Sequence, residues 1–343
     1  MIEITDIVLG SSYGDEGKGK VVYDLLKKNK YDLCVRFNGL GNIGHTVYEE
    51  EEKYIVHQLP IGVLVKNVYN LISSDCLIDI ARLKTEINEL KEKGINIEDR
   101  LFISKACHII TQECIQYNNQ DNLIENDGSE IDTTYACKML RTGKRVEDFA
   151  EDFDDLGIQL VDMRKFWFKE ADEKQIKNVL IEGAQGFEMD INWTNNYPYC
   201  ASSTCSLGGA INIGIPLKSI RDIYGVAKAY DTYVGSMKFQ PDIYKEEVDL
   251  IVDIDQEYGS VSGRITQCNF LNIDNLIESL KINNCTICII NKIDIIDKAG
   301  IYKLYYRNEL ISFRNLIDMQ SFICNVLFFL ERGVFFSFNP YYI

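Results

Sequence analysis

The strongest constraint on the fold lies within the first thirty residues. A short apolar run, Ile4 to Gly10, ends in Gly10-Ser-Ser-Tyr-Gly14-Asp15-Glu16-Gly17-Lys18-Gly19-Lys20, and a helical pattern over Gly17 to Lys28 follows at once. A strand that passes into a helix through a glycine-rich loop lets backbone N–H groups approach an anion, and the helix N-terminus favours its charge. The run is a degenerate form of the phosphate loop G-x-x-x-x-G-K-S/T. Gly17-Lys18 fits, but Gly19 stands where Ser or Thr would ligate magnesium. Composition leaves a second reading open, a flexible turn with a solvated lysine pair. Asp15 is the informative residue, because a carboxylate in a phosphate loop repels the ligand. That cost makes sense if Asp15 binds magnesium or removes a proton; the alternative is an Asx-turn.

The rest of the chain alternates strand and helix patterns. Strands are predicted at Asp32 to Phe37, Val179 to Glu182, Ile223 to Lys228 and Thr286 to Asn291. A helix is predicted over Asp79 to Lys93, with Ile80, Leu83, Ile87 and Leu90 on one face, Asp79 as N-cap and Gly94 just past the end. Another lies at Ile273 to Lys281. Near-continuous apolar strands between helices imply an α/β fold with a large, mainly parallel sheet flanked by helices. Ligands on such sheets bind outside the carboxyl ends of the strands. With no internal repeat and no Pro/Ser-rich linker, residues 1–343 read as a single domain.

The charge balance narrows the partners. The formal net charge is −16 with no basic block to interrupt it, which argues against nucleic acid. The longest apolar stretch, Phe322 to Leu330, is interrupted by Asn325 and too short to span a bilayer, so no membrane role is expected. Met1-Ile2-Glu3 leads into a strand rather than a secretory leader. Eleven scattered Cys read as reduced thiols of a cytoplasmic protein. Cys285 and Cys288 have redox or zinc spacing, but no second pair completes a zinc site, and both read as core residues of a strand.

The string G-D-E-G-K-G-K over Gly14 to Lys20 resembles the signature of the adenylosuccinate synthetase family. Val35-Arg-Phe-Asn-Gly39-Leu-Gly41-Asn42-Ile-Gly44-His45-Thr46 is similar to the family's G-G-H-N-A-G-H-T region. In family order follow His57-Gln-Leu-Pro60, Ile181-Glu-Gly-Ala-Gln185-Gly186, Tyr197-Pro-Tyr199, Ser202 to Gly209, Gly259-Ser-Val-Ser-Gly263-Arg264 and Asn291-Lys-Ile-Asp294. The resemblance spans nearly the whole chain, whose length matches the shorter archaeal- and viral-type members. It implies the P-loop-like nucleotide-binding fold of that family and a GTP- and Mg2+-dependent ligase joining IMP to L-aspartate through a 6-phosphoryl intermediate.

By that resemblance, Asp15 is the base that takes the N1 proton and a magnesium contact, His45 stabilises the leaving β–γ bridge, and Lys18 serves the phosphates. The Gly44 carbonyl is a second metal ligand. Asn42, Gln185, Ala201 and Ser202 fall at IMP positions, and Arg141 at an arginine that reaches the IMP phosphate of the neighbouring subunit, which implies a homodimer. Ser262 and Arg264 fall in the amine loop. Gly14, Glu16, Gly17, Lys18, Gly19 and Thr46 line the GTP phosphates; Asn291, Lys292, Asp294 and Ser337 surround the guanine. An Asp294 carboxylate can accept N1–H and N2–H of guanine, a pair adenine cannot offer.

Four departures are visible. The IMP-phosphate loop, G-T-T-G-x-G-I-G-P in the family, reads Glu125-Asn126-Asp127-Gly128-Ser129-Glu130-Ile131-Asp132-Thr133, with four added carboxylates. Ala201 stands where a threonine binds the same phosphate, with Ser202 as the neighbouring hydroxyl. The aspartate loop keeps Arg264 but has Thr266 in place of a second arginine. Asn339 replaces a glycine beside the guanine. These leave room for another purine, such as dGMP, or another amine, and for a GTP-binding regulator without synthesis. A phage branch that uses dGMP typically carries Ser at the catalytic Asp; Asp15 argues against its usual form.

Overall fold

The computed structural model describes residues 1–39, 44–49, 52–114, 129–255 and 266–343. Asn42, Ser262, Arg264 and the loop residues 125–128 lie outside them.

Nine described strands form one parallel sheet. They are β1 (Ile4–Gly10), β2 (Leu33–Arg36), β3 (Tyr69–Ile72), β4 (Leu101–Ser104), β5 (Ile158–Val161), β6 (Asn178–Gly186), β7 (Ile220–Lys228), β8 (Ile287–Asn291) and β9 (Val334–Phe336). Their order is β9-β8-β7-β1-β6-β2-β3-β4-β5. Side chains alternate across the sheet, and both faces are covered. Ile7 and Leu9 of β1 join one buried cluster while Val8 joins the other. Each such side chain contributes roughly 1.5–3 kcal/mol relative to leaving it in water. This is why the strands read as unbroken apolar runs.

The expected helices form with small boundary shifts. α1 (Lys18–Lys28) starts one residue late because Gly17 is left-handed, at φ 84°. α2 (Ile80–Glu92) is capped as predicted, the Asp79 carboxylate accepting from the Arg82 N–H. Residues 129–133, expected within a loop, instead open α3 (Ser129–Leu140). Glu130 and Asp132 in its first turn favour the positive end of the helix dipole, so the same residues that depart from the family pattern support a helix. Cys285 and Cys288 are buried free thiols, as expected.

The topology places the phosphate loop. β1 feeds α1, and α1 leads to β2, yet β6 is inserted between β1 and β2. The direction of chain progression therefore changes at β1. Its carboxyl end opens a crevice, the place where open α/β sheets bind ligands. The ends of β6, β2, β7 and β8 border the same edge. No described helix is long and apolar enough to cross a membrane.

Candidate active site

The phosphate loop is organised around its own carboxylate. Glu16, fully buried, accepts the N–H groups of Ser12 (3.2 Å) and Gly14 (2.9 Å) through Oε1 and the Lys18 ammonium through Oε2. The loop thus already cradles an anion with two backbone donors and a lysine, the pattern that suits phosphate. Asp15, by contrast, is exposed and left-handed, at φ 54°. The β1 and β6 ends approach too closely for side chains. A Cβ on Gly186 would lie 2.1 Å from the Ser12 carbonyl oxygen, and one on Gly10 2.5 Å from that of Gln185. Gln185, itself left-handed at φ 61°, brings its Oε1 beside Gly14.

The structure also explains why Gly19 replaces the hydroxyl residue of an ordinary phosphate loop. A hairpin of His45–Glu49 and Glu52–Val56 packs against α1. A Cβ on Gly19 would sit 3.0 Å from His45 Cβ and 3.3 Å from the Thr46 carbonyl. Gly19 therefore lets His45 and Thr46 reach the loop. His45 is buried, and its pKa is held well below the ordinary imidazole value, first by burial and then by Arg36 and Lys18. A neutral ring beside a phosphate site can donate one N–H without carrying charge.

The far wall is built by β8 and the tail. Asn291 ends β8, and its Nδ2 donates to the Glu16 carbonyl at 2.6 Å. Gly17 faces this amide; a Cβ there would lie 2.9 Å from it. Lys292 is left-handed at the N-cap of α4 (Ile293–Ala299), and its ammonium pairs with Asp255 at 2.6 Å. Asp294, in the first turn, pairs with Lys298 at 3.0 Å on the surface. Ser337 follows β9; its N–H donates to Ile290 O, and its hydroxyl accepts from Lys20 Nζ at 2.6 Å. Lys20 also donates to the Asn339 carbonyl at 2.9 Å. Burial, then the neighbouring Lys292, lowers the Lys20 pKa to about 8. The Asn339 side chain accepts the Tyr341 and Tyr342 N–H groups, so the residue in the glycine's place builds its own turn.

Other predicted residues lie farther along the strand ends. The Ala201 N–H donates to Met189 O at 2.8 Å. The Ser202 hydroxyl is engaged by the Asp132 carboxylate of α3. A hydroxyl expected to meet an anion thus faces a carboxylate, whose pKa burial raises. Arg141 follows α3, exposed and left-handed at φ 63°, next to the exposed Met139 and Leu140. Thr266 is buried.

Sequence reasoning assigned no role to Arg36, Glu182 or Lys20. Arg36 and Glu182 are register partners on β2 and β6, and an Nη1–Oε1 contact of 2.8 Å joins them in the core. The available signal was a charge inside each of two apolar runs, Val35-Arg-Phe and Ile181-Glu-Gly. Strands buried on both faces admit charges only when they are paired.

The family model of adenylosuccinate synthetase matches residues 7–173 and 154–306. Adenylosuccinate synthetase of Candida tropicalis is 33% identical over 370 residues, covering 92% of this chain and 86% of the relative. That of Bacteroides fragilis is 32% identical over 333 residues, covering 85% and 78%. Among solved structures, fully ligated adenylosuccinate synthetase from Plasmodium falciparum superposes with a TM-score of 0.80 at 23% identity, over 99% of this chain and 98% of that one. Succinoaminodeoxyadenylate synthetase of cyanophage S-2L, bound to dGMP and dATP, gives 0.71 at 17% identity, over 95% and 99%. Both structures share the fold. By family model and by sequence identity across most of its length, this chain belongs to the adenylosuccinate synthetase family.

Proposed function

We propose that the protein condenses IMP with L-aspartate to form adenylosuccinate, using GTP and Mg2+. The observation that carries this is the packing of His45 against the loop that bears Asp15. Binding GTP alone needs neither a proton acceptor nor a buried neutral imidazole at the phosphates. Asp15 takes the N1 proton of IMP, and the resulting O6 oxyanion attacks the γ-phosphate. Lys18 and the loop N–H groups hold the phosphates, and His45 donates its N–H to the bridging oxygen as charge develops there. The aspartate amine then displaces phosphate from C6. Such transfer rests on positioning and charge stabilisation.

The donor set fits Mg2+. Asp15 and Gly44 offer hard oxygen donors, the ligand type that Mg2+ takes from a protein beside substrate phosphates. Asp15 and the Gly44 carbonyl would hold it. When bound, the ion neutralises phosphate charge.

Around the acceptor, Gln185 and Asn42 contact the purine, and Ala201 and Ser202 lie toward its phosphate. Asn291, Lys292, Asp294 and Ser337 surround the guanine, and Arg264 with Ser262 receives the amino acid. The protein acts as one domain in the cytoplasm; strands from both ends of the chain, β1 and β9, share one sheet. The test is phosphate release from GTP. It is expected only with IMP and aspartate both present, with dGMP and other amines as parallel arms. Release that ignores both substrates would support a GTP-binding regulator instead.

The protein works as a homodimer, with Arg141 reaching the IMP phosphate of the other subunit. Its exposure beside Met139 and Leu140 supports this. Mixing the inactive variants Asp15→Asn and Arg141→Ala should restore part of the activity, since a hybrid dimer holds one complete site. No recovery despite demonstrated subunit exchange would exclude shared sites.

A further inference from the structure

Lys20 lies in the first turn of α1 and is only 8% exposed. A buried ammonium is costly unless its donors find partners. Both partners come from the far end of the chain: Nζ donates to Ser337 Oγ at 2.6 Å and to the Asn339 carbonyl at 2.9 Å. Ser337 Oγ accepts from Lys20 and gives its own proton to the Tyr342 carbonyl at 2.9 Å. Asn339 Oδ1 accepts the Tyr341 and Tyr342 N–H groups at 2.9 and 3.0 Å. Lys20 thus closes a set of hydrogen bonds that folds residues 337–342 into one turn.

The surroundings fix where that turn sits. The Ser337 N–H donates to Ile290 O of β8 at 2.9 Å. The Tyr341 ring meets Tyr48 edge-on, centroids 5.9 Å apart, on the hairpin that carries His45 and Thr46. Ile343 packs against the buried cluster that includes Val21 and Val22 of α1. The charged groups facing the Lys20 ammonium are Lys292, Asp294 and Asp24. Lys292 and Asp294 are assigned to the guanine, so the ammonium that shapes the tail also borders the base pocket. Lys18, in contrast, meets Glu16 in the anion cradle. The two lysines of the loop signature serve opposite ends of the nucleotide.

We propose that Lys20 is a positioning residue that holds residues 337–342 in place as a wall of the guanine pocket. The proposal rests on the reading of Asp294 and Ser337 as residues that surround the guanine. Lys20 touches no substrate in this scheme; it acts through the tail. Without it, the tail must be ordered before the base can bind, and apparent affinity falls by the fraction of chains already in the competent form.

The test combines amide exchange and binding on the intact chain, with GTP and guanosine as probes. Guanosine carries the base and no phosphate, so it reports on the base pocket alone. Lys20→Met keeps the stem and removes the donors. The Tyr341 and Tyr342 amides should then exchange at least ~10-fold faster, and guanosine and GTP should both bind at least ~10-fold more weakly, the scale of one lost charge-assisted hydrogen bond. At saturating GTP, kcat should change less than about threefold, because a wall of the base pocket serves ground and transition states alike. Lys20→Arg, which still donates, should recover part of both losses. If Lys20→Met does not fold, Asn339→Gly loosens the same turn from its other side and should show the same pair of effects. Unchanged exchange in the folded variant would overturn the proposal. So would a GTP loss that guanosine does not share, which would place Lys20 at the phosphates. Faster exchange with unchanged guanosine affinity would remove the tail from the base pocket. Wild-type binding of adenosine in place of guanosine would mean that the guanine reading has failed, while the exchange result still decides whether Lys20 holds the tail.

Discussion

Replacing Asp15 with Asn lowers turnover by ~10²-fold or more while GTP still binds. The magnitude is that of a positioned general base. Asn keeps the size and the local turn, since Asn tolerates the left-handed backbone that Asp15 adopts at φ 54°. The anion-binding part of the loop is untouched, because Ser12 N–H, Gly14 N–H and Lys18 converge on Glu16 rather than on Asp15. The loss should thus appear in kcat and in the Mg2+ requirement, while the dissociation constant for metal-free GTP stays unchanged, measured by steady-state kinetics and by nucleotide titration. Turnover near that of the parent would remove Asp15 from the chemistry.

Changing Asp294 to Asn should erode the preference for GTP over ATP by one to two orders of magnitude. A carboxylate accepting two guanine N–H groups makes charge-assisted bonds of roughly 1.5–3 kcal/mol each, and about 1.4 kcal/mol is tenfold in binding. The Lys298 partner does not compete strongly, because an exposed pair four residues apart on a helix is worth only a fraction of a kcal/mol. The left-handed Lys292 and the Asn291 link to Glu16 hold the start of the helix against the phosphate loop. In the proposed assignment, base recognition and phosphate binding are therefore joined by one short segment. The measurement is kcat/KM for GTP and ATP in both proteins. An unchanged ratio would move guanine recognition elsewhere.

Local chemistry was legible in the sequence, and long-range contacts were not. The Asp79 cap, the α2 face and the apolar strands follow from periodicity and capping. The substitution of Gly19 for a hydroxyl residue could be seen but not explained, since its cause is a hairpin that arrives from outside the loop. Arg36 and Glu182 stood out as charges in apolar strands, yet their pairing depends on β6 entering between β1 and β2. Lys20 meets Ser337 across 317 residues of chain, with no local trace. The family pattern places residues 129–133 in a loop. Exchange of glycines for Glu130 and Asp132 removed helix breakers and added first-turn acids, and the helix followed.

In the proposed reaction GTP is spent to activate the C6 oxygen of IMP. The most direct measurement uses IMP labelled with 18O at C6, incubated with the protein, GTP, Mg2+ and aspartate. If O6 attacks the γ-phosphate and the amine later displaces phosphate at C6, the C6–O bond breaks and the label leaves on phosphate. One 18O atom is expected in each inorganic phosphate released, with adenylosuccinate unlabelled. Phosphate that forms without label, while GTP is consumed, would show that water rather than the purine oxygen takes the phosphoryl group, and would rule out activation at C6.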